Sequence, residues 1–227
     1  MSNNLIHSFI IHSRSYGETS IIFDILTKQK GFTSVLAKGI KRKKDLSVLQ
    51  PSRELLLYFT NANFPILTKY EISDTNNSIN TKFMLEILYF NELIYKFIPR
   101  NEPCSSLYQL YKSYIEYIKT TKDSSNIIIV GFEVLFLREI GYELTLDHSL
   151  EKNISPEKYY FYNHQVGFKE IENNKYLDIS ITGADLLNLI RHKFSLILEL
   201  NKIRKINKNI LSRLLGDRKI KSYDILG

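Results

Sequence analysis

The stretch Phe32-Thr33-Ser34-Val35-Leu36-Ala37, running on into Lys38-Gly39-Ile40-Lys41-Arg42-Lys43-Lys44, decides how this chain is read. Its first half is short, apolar and β-branched, and it opens just after the turn signal Lys30-Gly31, which predicts a strand. Its second half places five cations in seven residues. A strand that opens into a basic loop brings a small β domain up against a phosphate backbone, where Lys and Arg displace condensed counterions. The plain alternative for such a run is a solvated surface loop.

Outward from this stretch, the first 75 or so residues hold further runs of the same texture. Phe9 to Arg14, Ser20 to Thr27, Glu54 to Phe59 and Ile66 to Ile72 are rich in β-branched and aromatic residues. They are separated by Tyr16-Gly17, Lys30-Gly31, Gln50-Pro51 and Asn61-Ala62-Asn63, which carry turn chemistry. Five short strands suit a small closed barrel, either an OB-fold or an SH3-like barrel.

The texture changes at the polar stretch Ser73-Asp74-Thr75-Asn76-Asn77. Phe83, Ile87, Phe90, Ile94 and Phe97 then recur at helical spacing. After the breaker Pro103, Ser105 or Ser106 caps a second helix with Leu107, Leu110, Tyr111, Tyr114 and Ile118 on one side. A third helix runs from Ser124 or Ser125 to Ile140, with Gly141 as its C-terminal residue. Residues 147–180 are irregular and polar, with strand-like pieces at Tyr159 to Tyr162 and Gly167 to Lys169. Thr182 and Asp185 have capping-box spacing. A last helix, 198–215, ends at Gly216. The expected class is therefore α+β: a five-stranded barrel over 1–76, then a helical domain over 77–227 with an insert at 147–180.

Composition narrows the function. The chain has 227 residues, a net charge of +7 and one cysteine, Cys104. Its pI is about 9.2 and its mean hydropathy −0.18. No apolar run approaches the roughly 20 residues that span a bilayer, and the N-terminus lacks the pattern of a secretory signal. A single cysteine excludes an intrachain disulfide and a multi-cysteine zinc site, and it fits a reducing cytosol. The positive charge favours a polyanionic partner, nucleic acid or acidic lipid. There is no P-loop, no G-x-S-x-G elbow and no H-E-x-x-H pair. His7, His12, His148, His164 and His192 are scattered, without ligand spacing.

Several motifs, in order, resemble one family. His12-Ser13-Arg14-Ser15-Tyr16-Gly17-Glu18-Thr19-Ser20, Leu36-Ala37-Lys38-Gly39 and Leu49-Gln50-Pro51 fall within the first 51 residues. Leu88-Tyr89-Phe90-Asn91-Glu92-Leu93, Phe132-Glu133 with Leu135 and Ile140-Gly141-Tyr142, and Leu215-Gly216 with Lys221-Ser222 follow. This pattern resembles RecO, the bacterial recombination mediators of DNA repair. The resemblance implies an N-terminal OB-fold, a helical domain and a zinc-finger-like insert. It also implies a cytoplasmic, nucleoid-associated protein with no cofactor and no enzymatic activity. RecO-like proteins bind single- and double-stranded DNA and anneal complementary strands. With RecR, and sometimes RecF, they help load RecA onto DNA coated by single-strand-binding protein.

Three departures from the family pattern shape the expectations. Asp147-His148-Ser149 stands where many relatives begin a four-cysteine set, so the insert is expected to be zinc-free. Val130-Gly131 stands where an arginine associated with docking single-strand-binding protein is usual, so that contact is either absent here or made by another cation such as Arg138. Tyr223 follows Lys221-Ser222 where arginine is usual.

The candidate DNA contacts are Lys38, Lys41, Arg42, Lys43 and Lys44, with Arg14 and Tyr16 beside the first turn, where a guanidinium clamps phosphate and an aromatic ring stacks a base. Glu18 is expected to support the turn or to pair with Arg14. Lys205, Lys208, Arg213 and Lys221 belong to a second basic run. Its alternative is an amphipathic helix whose solvent face is simply basic. The tyrosine row Tyr108, Tyr111, Tyr114 and Tyr117 reads as core and rim and is assigned no site. Rival functions are a metal-dependent nuclease using Asp24 and Glu54, and a structural adaptor without DNA contact.

Overall fold

Runs of β-branched, apolar and aromatic residues, alternating in β4 and near-continuously buried in β2 and β3, build five strands: β1 (Ile6–Tyr16), β2 (Ser20–Thr27), β3 (Gly31–Ala37), β4 (Glu54–Phe59) and β5 (Leu67–Ile72). The computed structural model describes residues 5–73, 81–142, 144, 153–171 and 180–226. The junction expected at residues 76 and 77, and the trio Asp147-His148-Ser149, lie outside them. The strands pair antiparallel in the order β3-β2-β1-β4-β5. The two edges approach at a parallel bridge between Leu36 and Ile66. There the Leu36 N–H donates to the Pro65 carbonyl at 2.8 Å. This is an OB-like arrangement.

β4 shows the period-two logic plainly. Leu55, Leu57 and Phe59 are buried while Glu54, Leu56 and Tyr58 are only half-buried, and the first three pack with Ile10, Phe23 and Ile25. β1 is buried on both faces over Ser8–Ile11. Ile10 enters the core, and Phe9 leans on Tyr108 and Tyr111, ring centroids 5.5 and 5.0 Å away. A bulge between Ile10 and His12 shifts the register with β2. From His12 onward β1 is exposed.

Tyr108 and Tyr111 come from α2 (Ser105–Thr120), which follows α1 (Met84–Phe97). Tyr108, Tyr111 and Tyr114 are buried and Tyr117 sits at the rim, as the sequence leads one to expect. The chain leaving α1 is tied to β3. Arg100 forms a parallel bridge with Phe32, the Asn101 N–H donates to the Phe32 carbonyl at 2.8 Å, and the Thr33 hydroxyl donates to Asn101 Oδ1 at 2.7 Å. Gly31 makes this approach possible. Its φ is +72°, and a Cβ there would lie 1.8 Å from the Glu102 carbonyl oxygen.

The chain gathers into two compact units, residues 1–121 with 220–227, and residues 122–219. In the first, the short helix α6 (Tyr223–Leu226) follows a latch on α1. Glu92 accepts from the backbone N–H groups of Lys221 and Ser222 at 2.7 and 2.8 Å and from the Ser222 hydroxyl. Burial alone would raise the Glu92 pKa. The Ser222 and backbone hydrogen bonds outweigh it and hold the carboxyl below its ordinary value. Tyr223 packs on Tyr89, centroids 5.7 Å apart.

The second unit contains α3 (Ser125–Glu139), α4 (Gly183–Ile190) and α5 (Leu200–Leu215). Thr182 caps α4, its hydroxyl accepting from the Asp185 N–H at 3.1 Å. α3 and α5 are joined by a buried pair in which the Asn207 amide donates to Glu133 at 3.0 Å. The insert holds β6 (Tyr159–Asn163), β7 (Gly167–Glu170) and β8 (Ser180–Thr182), in the order β7-β6-β8. Its two longer strands match the strand-like pieces read from the sequence. Three-residue β8 is too short to show a period of two.

Replacing Gly31 by Ala places a methyl group inside the Glu102 carbonyl and strains a left-handed residue. The expected loss is about 3 kcal/mol of folding free energy, measurable by urea unfolding. A midpoint matching wild type would show that the chain leaving α1 does not pack on Gly31.

Candidate nucleic-acid interface

The basic run is not an open loop. Gly39 turns the chain out of β3 with φ +66°, and two short 3-10 helices follow, Ile40–Arg42 and Lys44–Val48. Ile40 and Leu49 are buried in the barrel core at the two ends of the segment. These anchors hold Arg42, Lys43 and Lys44 exposed between them, while Lys38 is exposed between buried Ala37 and Ile40, so that all four stand on a fixed platform. Lys43 Nζ lies 5.4 Å from the centre of the Tyr70 ring of β5.

The β1–β2 turn is bonded to this platform. The Lys41 backbone N–H donates to the Thr19 carbonyl at 3.0 Å. Its ammonium donates to the Gly17 carbonyl at 3.1 Å, and the Gly39 N–H donates to the Ser20 hydroxyl at 3.2 Å. The structure therefore brings Tyr16, Lys38, Lys41, Arg42, Lys43 and Lys44 into one neighbourhood, with Tyr16 54% exposed. Among the described side chains no carboxylate pairs with Lys38, Arg42, Lys43 or Lys44.

Arg14 stands two residues before Tyr16, and its partner differs from the expected Glu18. Its Nη1 donates to Asp24 Oδ2 at 2.8 Å. Asp24 is fully buried, whereas Glu18 is exposed at the turn. A buried anion demands compensation that an exposed glutamate does not, and this decides the pairing. Asp24 Oδ1 accepts from the Ser34 hydroxyl at 2.6 Å and from Arg100 Nη1 at 2.8 Å. His12 Nδ1 lies 3.2 Å from Oδ2. Burial alone would raise the Asp24 pKa. Hydrogen bonds from Ser34 and Arg100, and the charges of Arg100 and Arg14, outweigh it and hold the carboxyl below its ordinary value.

Glu54 is committed in the same manner. It accepts from Tyr108 at 2.6 Å, lies 2.8 Å from His7 Nδ1, and pairs with Lys112 at 2.9 Å. Burial works to raise its pKa, but Tyr108, Lys112 and His7 lower it on balance. Burial and Glu54 together push the Tyr108 phenol far up. Asp24 and Glu54 are thus each bound by the protein's own cations, which is not the arrangement of a metal-binding carboxylate pair. Among the described residues no cluster of three His, Cys, Asp or Glu side chains could hold a metal ion.

The second basic run is divided. Lys205, Lys208 and Arg213 lie on α5 of the second unit, whose buried apolar residues include Ile203, Ile206 and Ile210. Lys205 and Arg213 are exposed and Lys208 is half-buried. Lys221 is exposed but belongs to the first unit, beside the Glu92 latch. Val130 and Gly131 are buried in α3, and Arg138 is exposed in its last turn. No helix among the described residues is long and apolar enough to cross a membrane.

Family models cover nearly the whole chain. The recombination protein O N-terminal model matches residues 1–76 and the recombination protein O C-terminal model residues 84–222. The chain belongs to the RecO family. A DNA repair protein RecO from Nitrosospira multiformis is 29% identical, with 96% of this chain and 93% of the relative covered. One from Polynucleobacter asymbioticus is 30% identical over the same shares. One from Pseudoalteromonas translucida is 24% identical, covering 99% of this chain and 98% of the relative.

Arg100 is the residue that the sequence reading passed over. Its signal is indirect. Asp24 is the one carboxylate in the apolar strand Ser20–Thr27, and such a group must find cations elsewhere in the chain.

Asp24, Glu54 and Glu92 all ionise below their ordinary values. Each therefore contributes stability that is full above the ordinary carboxylate pKa of about 4 and is lost as pH falls through the lowered value. The melting temperature is expected to stay level from pH 7 to 5 and to fall below about pH 4. Asp24→Asn lowers it at pH 7 and makes the acid fall shallower. A wild-type melting temperature unchanged between pH 5 and 3 would contradict these pairings.

Proposed function

We propose that this chain is a non-enzymatic DNA-repair and recombination mediator of the cytoplasm. It binds single- and double-stranded DNA, anneals complementary strands and, with RecR and in some settings RecF, helps load RecA onto DNA coated by single-strand-binding protein. The observation that carries this reading is the seam between the β1–β2 turn and the Lys38–Lys44 platform. Exposed cations there stand beside an exposed tyrosine, and among the described side chains no acidic partner blunts the platform's exposed cations.

The mechanism follows from charge. Two complementary strands repel each other, and a surface that neutralises both backbones lowers that barrier without nucleotide or metal. Each phosphate contact on a single strand adds about 0.7 to the dependence of log affinity on log salt. Five cations correspond to a slope of about 3 to 3.5. Tyr16 supplies a stacking surface, worth about 1–3 kcal/mol per base. Lys205, Lys208 and Arg213 give the second unit cations for another strand, and Lys221 adds one to the first unit. With Val130-Gly131 in place of the family's arginine, an exposed cation such as Arg138 takes up the acidic tail of single-strand-binding protein.

Fluorescence annealing of complementary oligonucleotides, without nucleotide or metal, tests the proposal. Annealing is expected, and its rate falls steeply from 50 to 200 mM salt. Replacing Lys41, Arg42, Lys43 and Lys44 together by Glu lowers the rate about tenfold or more at low salt. Equal annealing by that folded variant would remove the platform from the mechanism. Loss of DNA substrate on adding magnesium would favour the nuclease instead.

A further inference from the structure

We infer that Arg100 and Arg14, aimed by the buried Asp24, form a phosphodiester clamp that extends the DNA surface along the exposed part of β1. This rests on the DNA-binding reading above and assigns it a further residue, Arg100, together with a positioning residue, Asp24.

The geometry has three parts. Asp24 is completely buried, while the side chains of Arg14, Arg100 and His12 are 43%, 37% and 45% exposed. One carboxylate thus serves two guanidinium groups, and the cluster keeps a net positive charge whatever the state of His12. Each arginine spends only Nη1 on the cluster: Arg14 on Asp24, Arg100 on Asp24 and the Ser34 hydroxyl. The Nε and Nη2 groups of both have no hydrogen-bond partner among the described residues. A guanidinium with one edge fixed and another open suits a phosphate oxygen pair, since its planar fork matches that geometry.

The second part is rigidity. The Arg100 guanidinium lies over the rings of Phe32 and Tyr95, 4.8 and 5.8 Å from their centres. The backbone beneath it is bonded to β3 at Phe32. Ordering a long side chain before the ligand arrives removes that side chain's share of the entropic penalty of binding. A surface lysine on a flexible stem lacks this advantage.

The third part is continuity. His12, Arg14 and Tyr16 follow one another at every second residue of β1, so they line one face of the strand. The strand leads into the turn bonded to Lys41. Tyr95 is 38% exposed, with its ring 4.5 Å from that of His12. The cluster therefore continues the platform as a row of cations and aromatic rings, which is the pattern that tracks a single strand.

The test uses the wild-type chain first. Phenylglyoxal modifies accessible guanidinium groups, and mass spectrometry maps the sites. In the presence of saturating oligo-dT, modification of Arg14 and Arg100 should slow at least fivefold, while that of Arg191, exposed elsewhere in the chain, serves as reference. Inorganic phosphate at equal phosphorus concentration should protect far less. Equal modification of Arg100 with and without oligo-dT overturns the clamp. A conservative variant gives a second reading. Arg100→Lys keeps a cation for Asp24 but loses the fork, and should weaken oligo-dT binding about fivefold with its melting temperature near that of wild type. Unchanged affinity in that variant reduces Arg100 to a partner of Asp24 and also overturns the clamp. If wild type binds oligo-dT and the Lys41–Lys44 variant does not, yet Arg100 goes unprotected, the clamp alone fails. If wild type binds no DNA, the function proposed above fails and the clamp with it.

Discussion

A carboxylate sealed inside a small protein dictates what surrounds it. Asp24 is fully buried on β2, and an ionised group there is tolerated only when cations and hydrogen-bond donors satisfy it. Its partners arrive from β1, from β3 and from the chain just beyond α1. One charge thus fixes the relation of three strands and a helix end within the first compact unit. Glu54 repeats the device by binding β4 to β1 and α2. These pairs add specificity to a packing that the apolar core alone would leave less determined.

The consequence for the surface is that cations are placed by interior demands. Arg14 and Arg100 would be mobile on a featureless exterior. Here each is held at one end by the interior anion and left open at the other. Lys38, Arg42 and Lys44 are placed differently, by Ala37, Ile40 and Leu49 seated in the barrel core along the same segment. Charge and hydrophobic burial thus reach the same end, a fixed array of positive groups, by separate routes.

The strands were legible because their apolar residues alternate or run together between turn residues. Ser20–Thr27 and Glu54–Phe59 begin and end where the sequence reading puts them. The helices were legible from their period and from Gly216, the C-cap of α5, whereas α1 ends six residues before Pro103 and the N-cap of α2 is Cys104, not Ser105 or Ser106. The basic platform was legible as charge but not as shape, because the burial of Ile40 depends on a cavity built by distant strands. Glu18, four residues from Arg14, offers itself in sequence either as support for the turn or as the partner of Arg14. The actual partner, Asp24, lies on the neighbouring strand β2, and sequence proximity carries no information about which anion is buried. Arg100 escaped for the same reason, since its role exists only once residues 24, 34 and 100 are folded together. Three-residue β8 escaped because it is shorter than any periodic signal.

The tail latched on Glu92 has a bearing on how the polypeptide is made. Residues 220–227 complete the first unit, yet they leave the ribosome only after all of residues 122–219. Throughout synthesis of the intervening segment, Glu92 sits without the amide groups of Lys221 and Ser222, and Tyr89 without Tyr223. Maturation of the amino-terminal half is therefore delayed until translation has passed the carboxy-terminal one, and the nascent barrel waits with this flank of α1 uncovered.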